Sequence, residues 1–251
     1  MSMARPHSHA EQSAGVGNSA GERSRNGRLT RERVLAGALE LVDREGLSTL
    51  SMRRLGAELG VEAMALYRYA AGKDALLDGL VEAVYLEVEE RLDLVVGTAT
   101  TPGEVPWRTG LHRIARANYE VLLAHPQVVP LLFTRMMEVP LARRPLAVLK
   151  DHERVLALLR QAGFDEVGAA AVFRAFTAWV LGYISMELCA MVDNPDEPDP
   201  SFRLGLHRMP PQDLARLREA APALSHPGGP QGLASGLNGL LDRYTRTEGQ
   251  R

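Results

Sequence analysis

Cationic and hydroxyl-bearing side chains crowd into a short stretch between residues 53 and 73. Guanidinium and ammonium groups pair with phosphate oxygens, and tyrosine hydroxyls can donate hydrogen bonds to the same oxygens. Two small or apolar side chains within the stretch suit contacts to thymine methyl groups. The polar members are Arg53, Arg54, Tyr67, Arg68, Tyr69 and Lys73, and the apolar pair is Met64 and Ala65. These residue types predict contacts to a nucleic acid.

Two short helices joined by a tight turn are predicted to hold this stretch. Thr30 and Ser51 are preferred N-cap residues, and the apolar residues that follow each of them recur at helical spacing. After the turn Gly60-Val61-Glu62, in which Gly60 can take the left-handed conformation, a third helix is predicted over residues 63–69. Such a pair forms a helix-turn-helix, whose second helix lies in the DNA major groove.

The rest of the chain also has helical spacing and no alternating strand pattern, so we predict an all-α fold. A fourth helix runs from about Lys73 to near Gly97. Further helices are predicted at 105–124, 127–136, 143–162, 165–192, 211–219 and 231–246, with long loops at 193–211 and 222–230. We divide the chain into a disordered arm (1–28), a helix-turn-helix domain (29–75) and a helical domain (76–251) for effector binding and dimerisation.

Positive charge is concentrated in the part of the chain that holds the helix-turn-helix. The net charge of the 251 residues is only −2, but residues 23–73 carry ten basic and six acidic side chains, hence +4. The remainder therefore carries −6. A positive module joined to an acidic body is typical of local phosphate binding.

Cysteine content and hydropathy indicate a cytoplasmic protein that binds no membrane. Cys189 is the only cysteine, which excludes an intramolecular disulfide and is typical of a reducing compartment. Because Cys189 lies in an apolar run, we expect a buried, unreactive thiol. No apolar run reaches ~18 residues, and the N-terminus lacks the apolar core of a signal peptide.

The N-terminal motifs resemble those of the tetracycline-repressor (TetR) family. The matching residues are Leu59-Gly60-Val61, Leu66-Tyr67-Arg68-Tyr69 and Lys73-Asp74-Ala75-Leu76-Leu77, within a segment that runs from about Thr30 to Leu80. The resemblance implies that Arg53 reads a guanine, that Met64 and Ala65 contact bases, and that Tyr67 and Lys73 clamp phosphates. Ala70 and Gly72 depart from the pattern, since the family usually has a bulky residue and a Ser or Asn cap there.

The C-terminal part resembles the tetracycline-repressor type more loosely. Its matching features are Trp107, Leu122-Leu123-Ala124-His125-Pro126, Gln161-Ala162-Gly163-Phe164 and Gly236-Leu237-Asn238-Gly239-Leu240-Leu241. The resemblance implies a homodimer in which the helices at 165–192 and 231–246 of both subunits form a four-helix bundle. It also implies a double-stranded DNA operator, which we expect to be palindromic. We interpret His125 as a cap at a helix end.

The resemblance implies an effector pocket in the C-terminal part. We expect a pocket lined by Ile114, Asn118, Leu132, Phe133, Met136, His152, Val155, Phe176 and Trp179, although each of these residues could equally be ordinary core. The family's polar groups for tetracycline and magnesium fall on the apolar residues Ile114, Leu132 and Val155, so tetracycline binding is not supported. We expect a largely apolar or aromatic ligand, no metal and no cofactor.

The sequence therefore predicts a DNA-binding transcriptional regulator, a repressor that a small molecule releases from its operator. Three alternatives stay open: an activator, a ligand-independent helical DNA-binding protein, and an α-helical enzyme. The enzyme is disfavoured because no Ser/His/Asp or Cys/His set, phosphate loop or paired metal-ligand spacing stands out in the sequence. The large C-terminal part disfavours the ligand-independent protein.

Overall fold

The computed structural model describes residues 29–96, 107–189, 194 and 196–248. These residues form helices and connections without a strand, which confirms the predicted all-α class. The predicted arm (1–28) and the predicted helix end at Gly97 lie outside the described residues. The helices are α1 Arg31–Glu45, α2 Met52–Leu59, α3 Ala63–Leu66, α4 Lys73–Val96, α5 Trp107–Ala124, α6 Val129–Glu138, α7 Leu146–Gln161, α8 Glu166–Glu187, α9 Pro200–Arg203, α10 Ala215–Leu224 and α11 Gly229–Glu248.

The predicted caps of the first two helices are confirmed. Thr30 Oγ1 accepts a hydrogen bond from Arg33 N at 3.2 Å, and Ser51 Oγ accepts one from Arg54 N at 3.1 Å. These bonds satisfy backbone donors that lack partners within the first helical turn. Gly60 ends α2 in the left-handed region, with φ 67° and ψ 33°, as its position before the turn predicts.

The turn between α2 and α3 depends on a second glycine that the sequence pattern did not single out. Val61 N donates to Gly56 O at 2.9 Å, so the chain folds back tightly onto α2. A Cβ atom at Gly56 would lie 2.8 Å from Val61 O and 3.2 Å from Ala63 N. Because both contacts are to backbone atoms, no side-chain rotation can relieve them.

The α4 helix connects the first three helices to the rest of the molecule. It packs against α1 at one end and against α5 and α7 along its length. Its residues Leu76 and Leu80 are fully buried, and they belong to the same apolar cluster as Leu55 of α2 and Leu66 of α3. The helix-turn-helix therefore rests on a core that continues into the C-terminal helices.

Several predicted boundaries are corrected by the structure. α3 ends at Leu66 and a hydrogen-bonded turn follows, so the predicted helix 63–69 is shorter. The predicted loop 193–211 contains α9 and a 3₁₀ turn, Leu206–Arg208. The predicted loop 222–230 shrinks to four residues because α10 continues through Pro222 to Leu224. Ser225 N still reaches Ala221 O at 2.9 Å, so the proline removes a donor without ending the helix.

The α8 helix is more apolar than the sequence reading allowed. By length and composition α8 could cross a membrane. A third of its apolar 18-residue stretch is buried in the single chain. It packs against α5, α7 and α11, and the core helix of a helical domain passes the same test. Cys189 was predicted to be buried, and this is wrong for the single chain: α8 ends at Glu187, and Cys189 lies exposed beyond it.

Candidate functional site

The surface of the helix-turn-helix presents most of the predicted DNA-contacting side chains to solvent. Arg53 on α2 is exposed, and so is Met64 on α3, of which 75% is accessible. Tyr67 is 47% exposed in the turn after α3, whereas Ala65 is half-buried. Leu66 between them is fully buried and fixes α3 on the core. Leu66 thus anchors α3 to the core, while the neighbouring side chains stay accessible.

Three cations of this surface are accessible and have no acidic partner. Arg53, Arg68 and Lys73 are exposed, and none of them forms an ion pair within the described ranges. The Tyr67 hydroxyl has no hydrogen-bond partner there either. Lys73 is the first residue of α4, where the helix dipole adds to its positive field. These groups can bind phosphate oxygens without first breaking contacts within the protein.

Arg54 was predicted to contact DNA, and in the structure its guanidinium is bonded to two carboxylates of the protein. Its Nε donates to Glu45 Oε2 at 3.0 Å, its Nη2 also bonds Glu45, and its Nη1 donates to Glu58 Oε2 at 3.0 Å. Arg44 completes the cluster through Glu58 at 2.8 Å. The hydrogen bond from Arg54 lowers the pKa of Glu45, as expected for a charged pair. Arg54 joins the end of α1 to α2 instead of facing a phosphate.

Tyr69 was also predicted to reach phosphates, and its hydroxyl serves a different purpose. The hydroxyl donates to the carbonyl of Leu29 at 2.6 Å, and the side chain is half-buried. This bond fastens the residue that precedes the Thr30 cap. The sequence could not distinguish Tyr67 from Tyr69, because the acceptor lies 40 residues away along the chain.

His125 occupies the N-cap position of the 3₁₀ turn Pro126–Val128, as predicted, but its side chain makes no cap hydrogen bond there and instead bridges two helices. Its Nδ1 lies 2.6 Å from Asp43 Oδ2 of α1, and its Nε2 lies 2.7 Å from Glu87 Oε2 of α4. Both ring nitrogens thus lie within hydrogen-bond distance of a carboxylate oxygen. His125 therefore connects α1, which precedes the α2–α3 pair of the helix-turn-helix, with α4, which follows it.

Two adjoining cavities lie in the C-terminal helices, and they share Tyr85 and His152. The Met136 cavity, which is small and partly open to solvent, lies among α4, α6, α7 and the segment before α7. The Asp151 cavity, also small and partly open, lies among α4, α5, α7 and α8. Six predicted pocket residues line one cavity or both: Asn118, Leu132, Met136, His152, Val155 and Phe176.

Three predicted pocket residues do not line these cavities. Ile114 is only 2% exposed and belongs to the core, where its carbonyl accepts a hydrogen bond from Asn118. Phe133 is 36% exposed and faces an outer groove beside Cys189. Trp179 packs against α11, and its Nε1 donates to Leu233 O at 3.2 Å. The helices α6 and α8 carry apolar residues on several sides, so the spacing of these residues could not show which side faces a cavity.

Asp151 is the most consequential cavity residue that the sequence reading missed. Its side chain is 8% exposed, and its Oδ1 is buried without a hydrogen-bond partner among the described residues. Burial raises the pKa of Asp151 to about 6, and the nearby Arg154 opposes this only in part. A usable signal was present: Asp151 occupies an apolar-face position between Val148 and Val155 of α7.

The other side chains of the Asp151 cavity that sequence reasoning missed include Tyr85, Phe173 and Thr177. His152 packs edge-on against Phe173, with ring centroids 5.0 Å apart. Burial, and then the charge of Arg144, lower the pKa of His152, so the ring is neutral near pH 7. Burial raises the pKa of Tyr85 and keeps its hydroxyl protonated. The cavity therefore combines aromatic walls with a single ionisable carboxylate.

Comparison with known proteins places both parts of the chain. Residues 34–80 match the model for bacterial regulatory proteins of the TetR family, and residues 100–226 match the tetracycline repressor-like C-terminal domain. The second match alone covers half of the chain. This chain belongs to the TetR family. Membership confirms the predicted helix-turn-helix and helical C-terminal architecture, and it excludes the alternative of an α-helical enzyme, because TetR-family regulators are not enzymes.

Among curated relatives, this TetR-family chain is similar to the HTH-type transcriptional repressor DrrR1 of Streptomyces coeruleorubidus. The two are 32% identical over 160 residues, which cover 64% of this chain and 54% of DrrR1. An HTH-type transcriptional regulator of Saccharopolyspora erythraea is 34% identical over 159 residues, covering 63% of this chain and 61% of the relative. The chain thus spans less than two thirds of the length of either protein.

Two solved structures extend the comparison. A possible TetR family regulator from Streptomyces coelicolor A3(2) superposes with a TM-score of 0.67 at 27% identity, covering 87% of this chain and all of the other. BioQ with its double-stranded DNA operator superposes with a TM-score of 0.51 at 25% identity, covering 64% and 87%. Homologues of this TetR-family regulator therefore bind double-stranded DNA through the same fold.

Proposed function

We propose that this chain binds a palindromic DNA operator as a homodimer and represses transcription until a small molecule enters the two cavities. The observation that carries the proposal is the group of three exposed cations Arg53, Arg68 and Lys73, none of which has an ion-pair partner in the part of the chain that the structure describes. DNA-bound BioQ and the repressor DrrR1 supply the analogy for DNA binding and for repression. Such a regulator acts in the cytoplasm, where the DNA is.

Within this proposal, the exposed side chains divide into base contacts and phosphate contacts. Arg53 reads a guanine through two hydrogen bonds, and Met64 with Ala65 contacts neighbouring base edges. Tyr67, Arg68 and Lys73 bind phosphates and so set the position of α3 in the groove. The exposure of these side chains supports both kinds of contact, since only accessible groups can reach a base or a phosphate.

The proposed dimer buries faces that are open in the single chain. On α8, Val167 is 79% exposed and Met186 is 57% exposed, and Ala178 between them is exposed as well. On α11, Ser235 and Gly239 present a surface of small residues, and a Cβ at Gly239 would meet nothing within 4 Å. Two copies joined by α8 and α11 would place two α3 helices on successive major grooves, ~34–36 Å apart.

Coupling between effector and DNA is proposed to run through α4. Val81 and Tyr85 of α4 line the cavities, while the N-terminal end of the same helix carries Lys73. His125 ties α4 to α1 through Glu87 and Asp43. An effector that binds one tilt of α4 better than the other shifts the population toward that tilt, by no more than its difference in affinity.

Selection of an operator from random duplexes, followed by affinity measurements, tests this proposal. We expect Arg53→Ala to weaken operator binding roughly 5- to 100-fold, in line with ~1–3 kcal/mol for a bidentate base contact, and to relax one base position in each half-site. Arg216→Ala is the matched control, because Arg216 is an exposed arginine on α10, far along the chain from the reading head. A monomer on DNA, or unchanged base preference in Arg53→Ala, would refute the proposal.

The ligand-independent alternative predicts a different outcome in a second experiment. Compounds that raise the melting temperature of the protein are added to the preformed operator complex, and the fraction of bound DNA is measured. We expect compounds that fill the cavities to dissociate the complex. If every stabilising compound leaves the operator complex intact, the chain is a DNA-binding protein without effector control. If binding of the protein to its operator raises the output of the promoter, the protein is an activator.

A further inference from the structure

We propose that the effector carries a protonated amine, and that the Asp151 carboxylate is the anchor that binds it. The proposal rests on the proposed function in taking the Asp151 cavity as the effector site, and it adds the chemical class of the ligand. Asp151 lies on α7 and faces the cavity from a position where the neighbouring turns of the helix carry valine.

The Asp151 carboxylate lacks a partner that the protein could supply. Its Oδ1 is buried and accepts no hydrogen bond from any residue of the described ranges. An ionised carboxylate out of water is costly unless it is paired and hydrogen-bonded. A core position filled by aspartate therefore calls for a donor or a cation that none of the described residues supplies to Oδ1.

The charges around the cavity favour a cationic ligand. Asp151 is the only residue lining this cavity that is charged at neutral pH, because His152 is neutral there. Arg154 and Lys150 both pair with the single carboxylate of Glu89, each at 3.6 Å. None of these three side chains lines the cavity, whose described lining carries the negative charge of Asp151.

The walls of the cavity suit an ammonium group as well. Tyr85, His152, Phe173 and Phe176 surround the carboxylate with aromatic rings. Ring faces attract a desolvated ammonium, in addition to its attraction to the carboxylate. A neutral hydroxyl could donate one hydrogen bond to Asp151, but it would leave the charge uncompensated. The combination of one carboxylate and several rings therefore selects an amine over an alcohol.

We assign the apolar body of the ligand to the adjoining Met136 cavity, which is partly open to solvent. It shares Tyr85 and His152 with the Asp151 cavity, and Val81, Leu132 and Met136 form apolar parts of its wall. The two arginines at its rim are held by the protein. Arg144 donates to Met136 O at 2.8 Å, and Arg135 pairs with Asp78 at 2.8 Å. The ligand is thus amphipathic, with its amine at Asp151 and its apolar part between α4, α6 and α7.

A matched pair of probes tests the role of the charge directly. We would measure the dissociation constants of 3,3-diphenylpropylamine and 3,3-diphenylpropanol for the full-length protein at pH 7.5 by calorimetry. The two molecules share their apolar body and differ in the charged group. We expect the wild-type protein to bind the amine at least tenfold more tightly than the alcohol. We expect Asp151→Asn to abolish this preference while it keeps its affinity for the alcohol, which shows that the cavity is intact.

Glu153→Gln serves as the matched control, because Glu153 is an exposed carboxylate on the same helix, two residues away. It should retain the full preference for the amine. Equal affinities for amine and alcohol in the wild-type protein, no binding of the amine at all, or a preference that persists in Asp151→Asn would each overturn the inference.

Parallel measurements of operator binding separate this inference from the proposed function. If the protein binds its operator specifically but shows no amine preference, the ligand class is wrong and the DNA-binding function stands. If operator binding fails while the preference disappears in Asp151→Asn, the amine site stands and the proposed function is wrong. In the expected case, the amine also releases the operator from the wild-type protein and from Glu153→Gln, but not from Asp151→Asn.

Discussion

Replacing Asp151 with asparagine should stabilise the unliganded protein, and the gain should depend on pH. Burial raises the pKa of Asp151 from 3.8 to about 6. A difference of about two pKa units corresponds to about 3 kcal/mol between the two protonation states. Because the folded-state pKa is the higher one, the cost of this group is absent below pH 3.8 and grows as the pH rises. The full cost is reached above the folded-state pKa of about 6.

The asparagine variant removes that cost. We expect its free energy of unfolding to exceed that of the wild-type protein by about 3 kcal/mol at pH 7.5 and by about half as much at pH 5. Urea unfolding at both values, at one fixed protomer concentration because dimerisation contributes to stability, provides the measurement. Glu153→Gln should change the free energy by less than about 0.5 kcal/mol, since its carboxylate is exposed.

Two results would refute this reasoning. A loss of 1 kcal/mol or more in Asp151→Asn at pH 7.5 would show that the carboxylate has a favourable partner in the folded protein. A gain of equal size at both pH values would show that it is not the charge that destabilises the protein. Either result would also weaken the case for an amine as its counterpart.

Three further substitutions test other parts of the molecule. Tyr67→Phe should reduce affinity roughly three- to tenfold on operator and random duplexes alike, as the loss of one phosphate hydrogen bond requires; a loss at one base pair only would contradict that role. Gly56→Ala should cost about 1–3 kcal/mol in urea unfolding, because its Cβ would lie 2.8 Å from Val61 O; an unchanged midpoint would disprove the steric argument. His125→Gln should leave operator affinity without effector near the wild-type value and reduce the fold-change that an effector causes; an unaltered ratio of the two affinities would show that the bridge to Asp43 and Glu87 transmits nothing.

The sequence predicted the helix-turn-helix well because its signals are local. Thr30 and Ser51 cap their helices through bonds to residues three positions away, and Gly60 adopts its left-handed conformation within the turn itself. The partners of Arg54 and Tyr69 within the protein could not be predicted, because Glu45 and Leu29 are 9 and 40 residues distant. The spacing of residues along a helix indicates which polar side chains are exposed. It does not indicate which of them will bond to a residue of another segment.

The cavities were predicted less well for a related reason. An apolar residue at core spacing can face another helix or an empty space, and the two cases have the same pattern. Leu132 faces a cavity, whereas Ile114 packs in the core and Trp179 lies against α11. Asp151 was the exception that the pattern could have revealed, since a charged residue on the apolar side of α7 breaks its periodicity. Domain boundaries at residues 28 and 75 stay predictions.

The 24 residues of α4 make an uninterrupted rod about 36 Å long, at 1.5 Å per residue. Tyr85, which lines both cavities, lies 12 residues and thus about 18 Å from Lys73 along this rod, so a tilt of about 5° centred there displaces Lys73 by about 1.6 Å. Hydrogen bonds to a base edge tolerate only a few tenths of an ångström. The helix-turn-helix beside Lys73 therefore need not unfold or rearrange to lose its contacts with DNA. In the proposed mechanism, a ligand acts through the tilt of α4 alone.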